Sequence, residues 1–202
     1  MIAAMVRVLV PQPVRRKLRN LSLRHRLRSV PRRIVIGAGG TREPGWTPTE
    51  AYQLDLLDPQ SWARYLEPNS VDALLAEHVW EHLTLEEAKE AAKLCHFYLR
   101  PGASIRVAVP DGLFPDPAYQ EHVKVGGPGG GSDPEHGHKV VYTFRMLQEV
   151  FESAGFATTL LEYHDESHTL HEHDWDPADG MVYRSKRFDS RGAISIILDA
   201  RK

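Results

Sequence analysis

The stretch Arg33-Ile34-Val35-Ile36-Gly37-Ala38-Gly39-Gly40 decides the fold of this chain. A short apolar strand that runs directly into a Gly-x-Gly turn allows a ligand to lie against bare backbone. Glu50 follows soon after this turn, and an acidic residue at the end of the next strand is the usual acceptor for ribose hydroxyls. The sequence therefore predicts an α/β domain that binds a nucleoside.

Apolar strands alternate with helical patterns along the rest of the chain, which is typical of a mostly parallel sheet covered on both faces. The helices are indicated by apolar residues at a spacing of about 3.6. Strands are predicted at 34–36, at 51–54 or just before it around Glu50, and at 71–76, 105–109, 156–163 and 193–199, with helices at 86–99 and 142–153.

The charge is distributed unevenly along the 202 residues. Residues 1–33 hold ten of the 25 lysines and arginines and no acid, which leaves 15 basic against 27 acidic residues, a formal charge of −12, in the remainder. Such a basic arm suits anionic lipid, nucleic acid or the acidic body of the protein itself, and it also looks similar to a mitochondrial targeting segment or a solvated arm. The length predicts one domain at 33–202 with an arm at 1–32.

The single cysteine, Cys95, excludes an internal disulfide and a multi-cysteine zinc site. The chain has no apolar run of the roughly 18 residues that a membrane span requires. The sequence predicts a soluble, cytoplasmic protein.

The segment at 126–138 is rich in glycine and proline, so by composition it is a mobile loop without a helix or strand. Because it follows the strand predicted at 105–109, it would lie over the carboxyl edge of the sheet, where ligands bind in open α/β folds. Two interpretations stay open, a lid over a site and a disordered insertion.

These features together resemble the class I S-adenosylmethionine-dependent methyltransferases, in particular a predicted bacterial family similar to methyltransferase type 11. The resemblance spans roughly residues 33–202. The matching motifs are the glycine turn at 37–40, the Pro-Gly-Trp at 44–46, the strand and exit loop at 70–83, the strand-five leader at 99–107 and the helix and turn at 147–156.

The resemblance implies a Rossmann-like, seven-stranded, mostly parallel sheet with an antiparallel last strand and helices on both faces. S-adenosyl-L-methionine would lie across the carboxyl ends of the early strands, with Glu50 on its ribose hydroxyls. Asp55 would meet the adenine amino group, or replace Glu50 as the ribose acceptor, and Leu56 would lie against the ring. The cofactor-binding residues implied in this way are Gly37, Ala38, Gly39, Glu50, Asp55, Leu56, Glu77 and His78.

The connection from Gly39 to Glu50 departs from the usual pattern. It is short and contains Pro44, Gly45 and Pro48, so the first helix must be absent or a single turn. A dinucleotide needs the N-terminus of that helix for its pyrophosphate, whereas adenosylmethionine has no phosphate. The short connection therefore favours a methyl donor over NAD.

Methyl transfer to an alcohol or amine requires a base that takes the acceptor proton. Candidates on the exit loops are His78, the first choice, and Asp111, which would otherwise hold the turn after Pro110; His82 is more typical of a helix start. The residues assigned to the acceptor side are His138, His171 and Trp175.

A second polar cluster lies at 164–176, where imidazoles alternate with carboxylates. Its spacing fits no recognised metal motif, and the resemblance implies no metal ligand. A metal site and a polar loop that orders over the substrate are the two interpretations.

The leading functional hypothesis is a methyltransferase that acts on a small-molecule or glycan acceptor. The first alternative is a methyltransferase-like binding module or partner subunit without catalysis. A nucleotide-dependent oxidoreductase is disfavoured by the short connection, and a nucleic-acid methyltransferase by the absence of a basic surface with interleaved aromatic residues in the body.

Overall fold

The structure, a computed structural model, describes residues 20–130 and 137–202. Most of the basic arm and residues 131–136 of the glycine-rich loop therefore lie outside the described residues. Residues 20–26 are helical, and the arm's Leu23 and Leu27 are buried in the main core. The described end of the arm is thus packed on the domain by apolar contacts.

Seven strands form one sheet in the order β2-β1-β3-β4-β7-β5-β6. The first five strands in the chain run in the same direction, while β7 is antiparallel to both of its neighbours and β6 is antiparallel to β5. The bounds are Arg33–Ile36 for β1, Thr47–Pro48 for β2, Val71–Glu77 for β3, Leu99–Pro110 for β4, Ala157–His164 for β5, Leu170–Glu172 for β6 and Ser195–Arg201 for β7.

Four α-helices accompany the sheet in the described parts of the chain. They are Pro59–Ala63 (α1), Leu85–Tyr98 (α2), Pro117–Val123 (α3) and Phe144–Ser153 (α4). Single 3-10 turns lie at Trp80–His82, Pro128–Gly130 and Pro177–Asp179. No described helix is long and apolar enough to cross a membrane.

Local sequence explains why α2 begins and packs where it does. Thr84 and Glu87 form a capping box, in which each side chain accepts from the backbone N–H of the other. Its buried stripe then recurs at helical spacing and faces the sheet together with α4. The stripe consists of Ala88, Ala91, Ala92, Cys95 and Tyr98.

The second face of the sheet differs from the expected arrangement with helices on both faces. Within the described residues, Trp175 and Val182 of the irregular segment between β6 and β7 pack on this face, and no α-helix does. Arg106 of β4 holds that segment, because its Nη1 donates to the carbonyl oxygens of Asp176 and Gly180 at 2.9 and 2.8 Å. A buried guanidinium replaces the packing that a helix would provide.

Two further expectations need correction. The second strand lies at Thr47–Pro48, and residues 51–54 form a turn, because the backbone of Thr49 already bonds to Val35 and Ala38. The glycine-rich loop contains a 3-10 turn at Pro128–Gly130 where no helix was expected. A Cβ on Gly130 would lie 2.5 Å from the backbone nitrogen of His138, so this glycine permits close packing.

Candidate active site

The turn after β1 presents bare backbone at the carboxyl edge of the sheet. Gly37 and Gly39 have φ values of +59° and +56°, in the region that favours glycine. A Cβ on Gly37 would lie 2.8 Å from Cγ2 of Val79, so only glycine fits there. Ala38 donates its N–H to the carbonyl oxygen of Thr49 at 2.9 Å, which fixes the turn against the chain after β2. Residues 37–46, all described, form no helix, in agreement with the prediction from the sequence.

Glu50 lies on a cleft beside this turn, which we call the Glu50 cleft. Its volume is about 550 Å³. The lining residues are Ser22, Arg26, Gly39, Gly40, Arg42, Pro48, Glu50, Tyr52 and Gln53.

A second space, which we call the histidine cavity, lies at the ends of β1 and β3 and has a volume of about 280 Å³. Gly39 lines both spaces, so the glycine turn is their shared wall. The lining of the histidine cavity consists of Gly37, Ala38, Gly39, Thr41, Glu77, His78, Glu81, His82, Gly129, His138 and Arg184.

The exit from β3 is held in place by Trp80. His78 has a φ of +54°, which turns the chain out of β3 into the 3-10 turn at Trp80–His82. The Trp80 ring is fully buried, with its centroid 5.3 Å from that of Phe151 on α4. Burial and the nearby Glu81 carboxylate raise the pKa of Tyr142, so its hydroxyl stays protonated and donates to the carbonyl oxygen of Trp80 at 3.4 Å.

His78 contacts a hydroxyl and a carboxylate inside the histidine cavity. Its Nε2 lies 3.0 Å from Oγ of Ser195, a fully buried residue at the start of β7. Its Nδ1 lies 3.2 Å from Oε1 of Glu81. The imidazole is therefore oriented from two sides.

The Glu81 side chain is buried, with 1% of its surface exposed. Neither carboxylate oxygen has a hydrogen-bond partner within the described part of the chain, since the approach of His78 lacks hydrogen-bond geometry. The backbone carbonyl of Glu81 accepts from the N–H groups of Lys139 and Val140 at 2.7 and 3.3 Å, and this places His138 beside the 3-10 turn.

Of the residues predicted from the sequence, six line the histidine cavity and one more lines the Glu50 cleft. The six are Gly37, Ala38, Gly39, Glu77, His78 and His138, and the seventh is Glu50. Glu77 accepts the backbone N–H of Arg184 at 2.7 Å, which holds the segment before β7 against the cavity.

Asp55 and Leu56 line neither of these two spaces. The Asp55 carboxylate accepts the N–H of Leu57 at 2.9 Å, and its carbonyl accepts from Nε1 of the buried Trp62 at 2.8 Å. Leu56 belongs to the main core. Both residues therefore support the start of α1.

Asp111 also lies outside the lining of the histidine cavity. The residue is fully buried, and each of its carboxylate oxygens accepts a backbone N–H. Oδ1 accepts from Leu113 at 2.9 Å, and Oδ2 accepts from the N–H of His164 at 2.8 Å and lies 2.9 Å from its Nδ1. These contacts describe a turn-stabilising carboxylate.

The structure separates His171 and Trp175 from the histidine cavity. Nε2 of His171 lies 2.7 Å from Oδ2 of Asp165, and its ring stacks on Tyr163 in the β5–β6 hairpin. Trp175 packs on the second face of the sheet, under the guanidinium of Arg106 at 4.9 Å. The polar cluster at 164–176 thus contributes to a hairpin and to the covering of the sheet.

Sequence analysis left three cavity residues without a role. Thr41 and Arg184 come from segments without a motif, and Glu81 stands between two residues that were considered as bases. The alternation Glu77-His78-Val79-Trp80-Glu81-His82, in which four of six residues carry ionisable groups, is the signal that marks this turn in the sequence.

Solved structures of S-adenosylmethionine-dependent methyltransferases share the architecture described above. One from Archaeoglobus fulgidus has a TM-score of 0.51 and 17% sequence identity, with 93% of this chain and 94% of that chain covered. The CurJ carbon methyltransferase has a TM-score of 0.50 and 13% identity, with 84% of this chain and 48% of that chain covered. No protein-family model and no curated protein matches the sequence. The chain has the class I methyltransferase fold.

The glycine turn fits the cofactor that this fold family uses. A Cβ on Gly39 would meet a single atom within 4 Å, the carbonyl oxygen of Gly37 at 3.8 Å, and would otherwise project into the open space that both cavities share. A ligand can therefore lie against the backbone there, with the Glu50 carboxylate on one side and His78 on the other.

Proposed function

We propose that this chain is an S-adenosylmethionine-dependent methyltransferase that acts on a small-molecule or glycan acceptor. The observation that carries the proposal is the shared wall at Gly39, which joins an acid-lined cleft to a histidine-lined cavity. Adenosylmethionine supplies a methyl group on a positively charged sulfur, which is already activated for transfer.

Glu50 would bind the ribose hydroxyls, because a carboxylate accepts two hydrogen bonds from a vicinal diol. The bare backbone at Gly37 and Gly39 would hold the part of the cofactor that carries the methyl group. The volumes of about 550 and 280 Å³ suit a cofactor and a small acceptor group rather than a folded protein.

His78 would take the proton of the acceptor. When Nε2–H donates to Ser195, Nδ1 carries the lone pair that can receive this proton. The Glu81 carboxylate at 3.2 Å would then stabilise the imidazolium that forms. Alignment of acceptor and methyl group by the cavity walls would supply the remaining rate enhancement.

Calorimetric titration of the full chain with adenosylmethionine tests this proposal, with NAD titrated separately. We expect adenosylmethionine to bind and NAD not to bind. Glu50→Gln should weaken binding about tenfold or more, because hydrogen bonds to a charged acceptor are lost. Asp55→Asn is the matched control and should leave the affinity within about twofold, since Asp55 lies away from the Glu50 cleft.

Absence of binding by adenosylmethionine would overturn the proposal. Binding that Asp55→Asn weakens more than Glu50→Gln would reassign the ribose acceptor. Binding without methyl transfer to any member of a broad acceptor set would favour the non-catalytic binding module.

A further inference from the structure

Three metal-ligand side chains meet in the histidine cavity. One ligand atom from each of Glu81, His82 and His138 lies within 4.8 Å of the other two. Atoms that bind one Zn²⁺ ion at about 2.1 Å lie about 3.4 Å apart in tetrahedral geometry. Side-chain rotations that move these atoms by about 1 Å would therefore bring them into one coordination shell.

Glu81 supplies the observation that points to a cation. Its side chain is 1% exposed, and both of its oxygens lack hydrogen-bond partners among the residues that the structure describes. A buried carboxylate without a partner is strongly disfavoured unless a positive charge or a metal compensates it. The cavity thus contains an uncompensated negative charge beside two imidazoles.

The two imidazoles are prepared as metal ligands by their backbone contacts. Nδ1 of His138 lies 2.7 Å from the carbonyl oxygen of Val123, and Nδ1 of His82 lies 3.3 Å from that of Gly137. A carbonyl oxygen only accepts, so each Nδ1 carries the proton and each Nε2 has a free lone pair. Histidines that bind metals commonly donate their other ring N–H to a backbone carbonyl in this way.

We propose that Glu81, His82 and His138 bind a divalent transition-metal ion of the Zn²⁺ class. Two imidazoles and one carboxylate are the donor set of catalytic zinc sites, which keep a further position for water or substrate. Mg²⁺ and Ca²⁺ prefer shells made of oxygen, so this site should discriminate against them. The proposal goes beyond methyl transfer and does not depend on it.

Titration of the chelator-treated full chain with metal alone, in the absence of adenosylmethionine, tests the site. We expect Zn²⁺ and Co²⁺ to bind with one equivalent per chain, Co²⁺ to give the visible absorption of a site with fewer than six ligands, and Mg²⁺ not to compete. Glu81→Gln and His138→Gln should each weaken Zn²⁺ binding about 100-fold or more, since even outer-shell changes cost 10–100-fold.

His171→Gln is the matched control, because His171 also pairs with a carboxylate but lies in the β5–β6 hairpin. It should bind Zn²⁺ as the unmodified chain does. Thermal unfolding separates loss of the site from loss of the fold. Without metal, Glu81→Gln should unfold at the same or a higher temperature than the unmodified chain, and Zn²⁺ should stabilise the unmodified chain alone.

The proposal is overturned if the unmodified chain binds no Zn²⁺, or if Glu81→Gln and His138→Gln retain its affinity. Loss of Zn²⁺ binding in His171→Gln would place the ion in the hairpin and would equally contradict the proposal. Because adenosylmethionine is absent, none of these outcomes depends on whether the chain transfers methyl groups.

Discussion

Arg106 and Asp199 face each other across β4 and β7 and form a two-pronged ion pair within the sheet. Nε and Nη2 of Arg106 donate to Oδ1 and Oδ2 of Asp199 at 2.7 and 2.8 Å. Arg106 is 3% exposed, and its remaining Nη1 bonds hold the segment that covers the second face of the sheet. One side chain thus links two strands to an irregular segment distant in sequence.

Asp199→Asn should lower the free energy of unfolding by about 2–4 kcal/mol, because it leaves the Arg106 guanidinium buried without its counter-charge. Urea denaturation monitored by tryptophan fluorescence measures this change. Glu90→Gln is the control, since it removes an exposed partner of Lys93 and should cost less than about 0.5 kcal/mol. Equal effects of the two substitutions would refute the structural role given to Arg106.

Gly37→Ala and Gly45→Ala form a matched pair. Both glycines have positive φ values, +59° and +80°, so alanine at either position costs about 1 kcal/mol. A Cβ on Gly37 also lies 2.8 Å from Val79, whereas one on Gly45 meets nothing within 4 Å. Gly37→Ala should therefore be less stable than Gly45→Ala by about 1–3 kcal/mol and should bind adenosylmethionine more weakly.

Thermal unfolding and calorimetry of the two variants check this expectation. If Gly37→Ala matches Gly45→Ala in both stability and cofactor affinity, the close approach at Val79 has no energetic consequence.

Glu162 predicts a dependence of stability on pH. Burial raises its pKa from 4.5 to about 7, against the N–H of Lys186, which donates to Oε1 at 2.9 Å, and against the charge of Lys186; the charges of Glu172 and Asp111 raise the pKa further. In the unfolded chain the group ionises first, so stability falls as pH rises from about 4.5 to about 7. The fall should reach at most about 3 kcal/mol.

Glu162→Gln should remove this slope and make the protein more stable than the unmodified chain above about pH 7. Denaturation at a series of pH values measures it. Glu121→Gln, at a residue with 73% of its side chain exposed, should leave the slope in place. A slope that survives in Glu162→Gln must come from other groups.

Asp111→Asn distinguishes a structural from a catalytic carboxylate. Both oxygens of Asp111 accept N–H groups, so the amide nitrogen of asparagine would face a donor in either orientation. We expect a loss of about 2–3 kcal/mol in stability with adenosylmethionine affinity unchanged. Asp116→Asn, at a helix N-cap where asparagine caps as well as aspartate, should be neutral. Identical stability of both variants would contradict this assignment.

Local patterns were sufficient to predict much of the fold. β1, β3 and α2 were predicted within one or two residues, because each carries its own apolar pattern and α2 its own cap. β2 is only two residues long and carries no pattern, so its position was missed. The covering of the second face depends on contacts of Arg106 with residues about 70 positions away, and no local signal reports them.

The candidate site was predicted in part for the same reason. Gly37, Gly39 and His78 follow directly from strand ends, and the sheet brings the ends of parallel strands together. The burial of Glu81 depends on backbone bonds to Lys139 and Val140, far along the chain. A sequence shows that a carboxylate is present, but only the tertiary structure shows that it lacks a partner.

The two outermost strands have a consequence for association between molecules. β2 has two residues and ends in Pro48, which has no N–H to donate, and β6 has three residues with Glu172 at its end. An exposed strand edge is a template on which another chain can add a strand, and short edges with proline or charge offer little to pair with. The sheet is therefore poorly suited to grow by addition of strands from a second molecule, and its edges oppose aggregation.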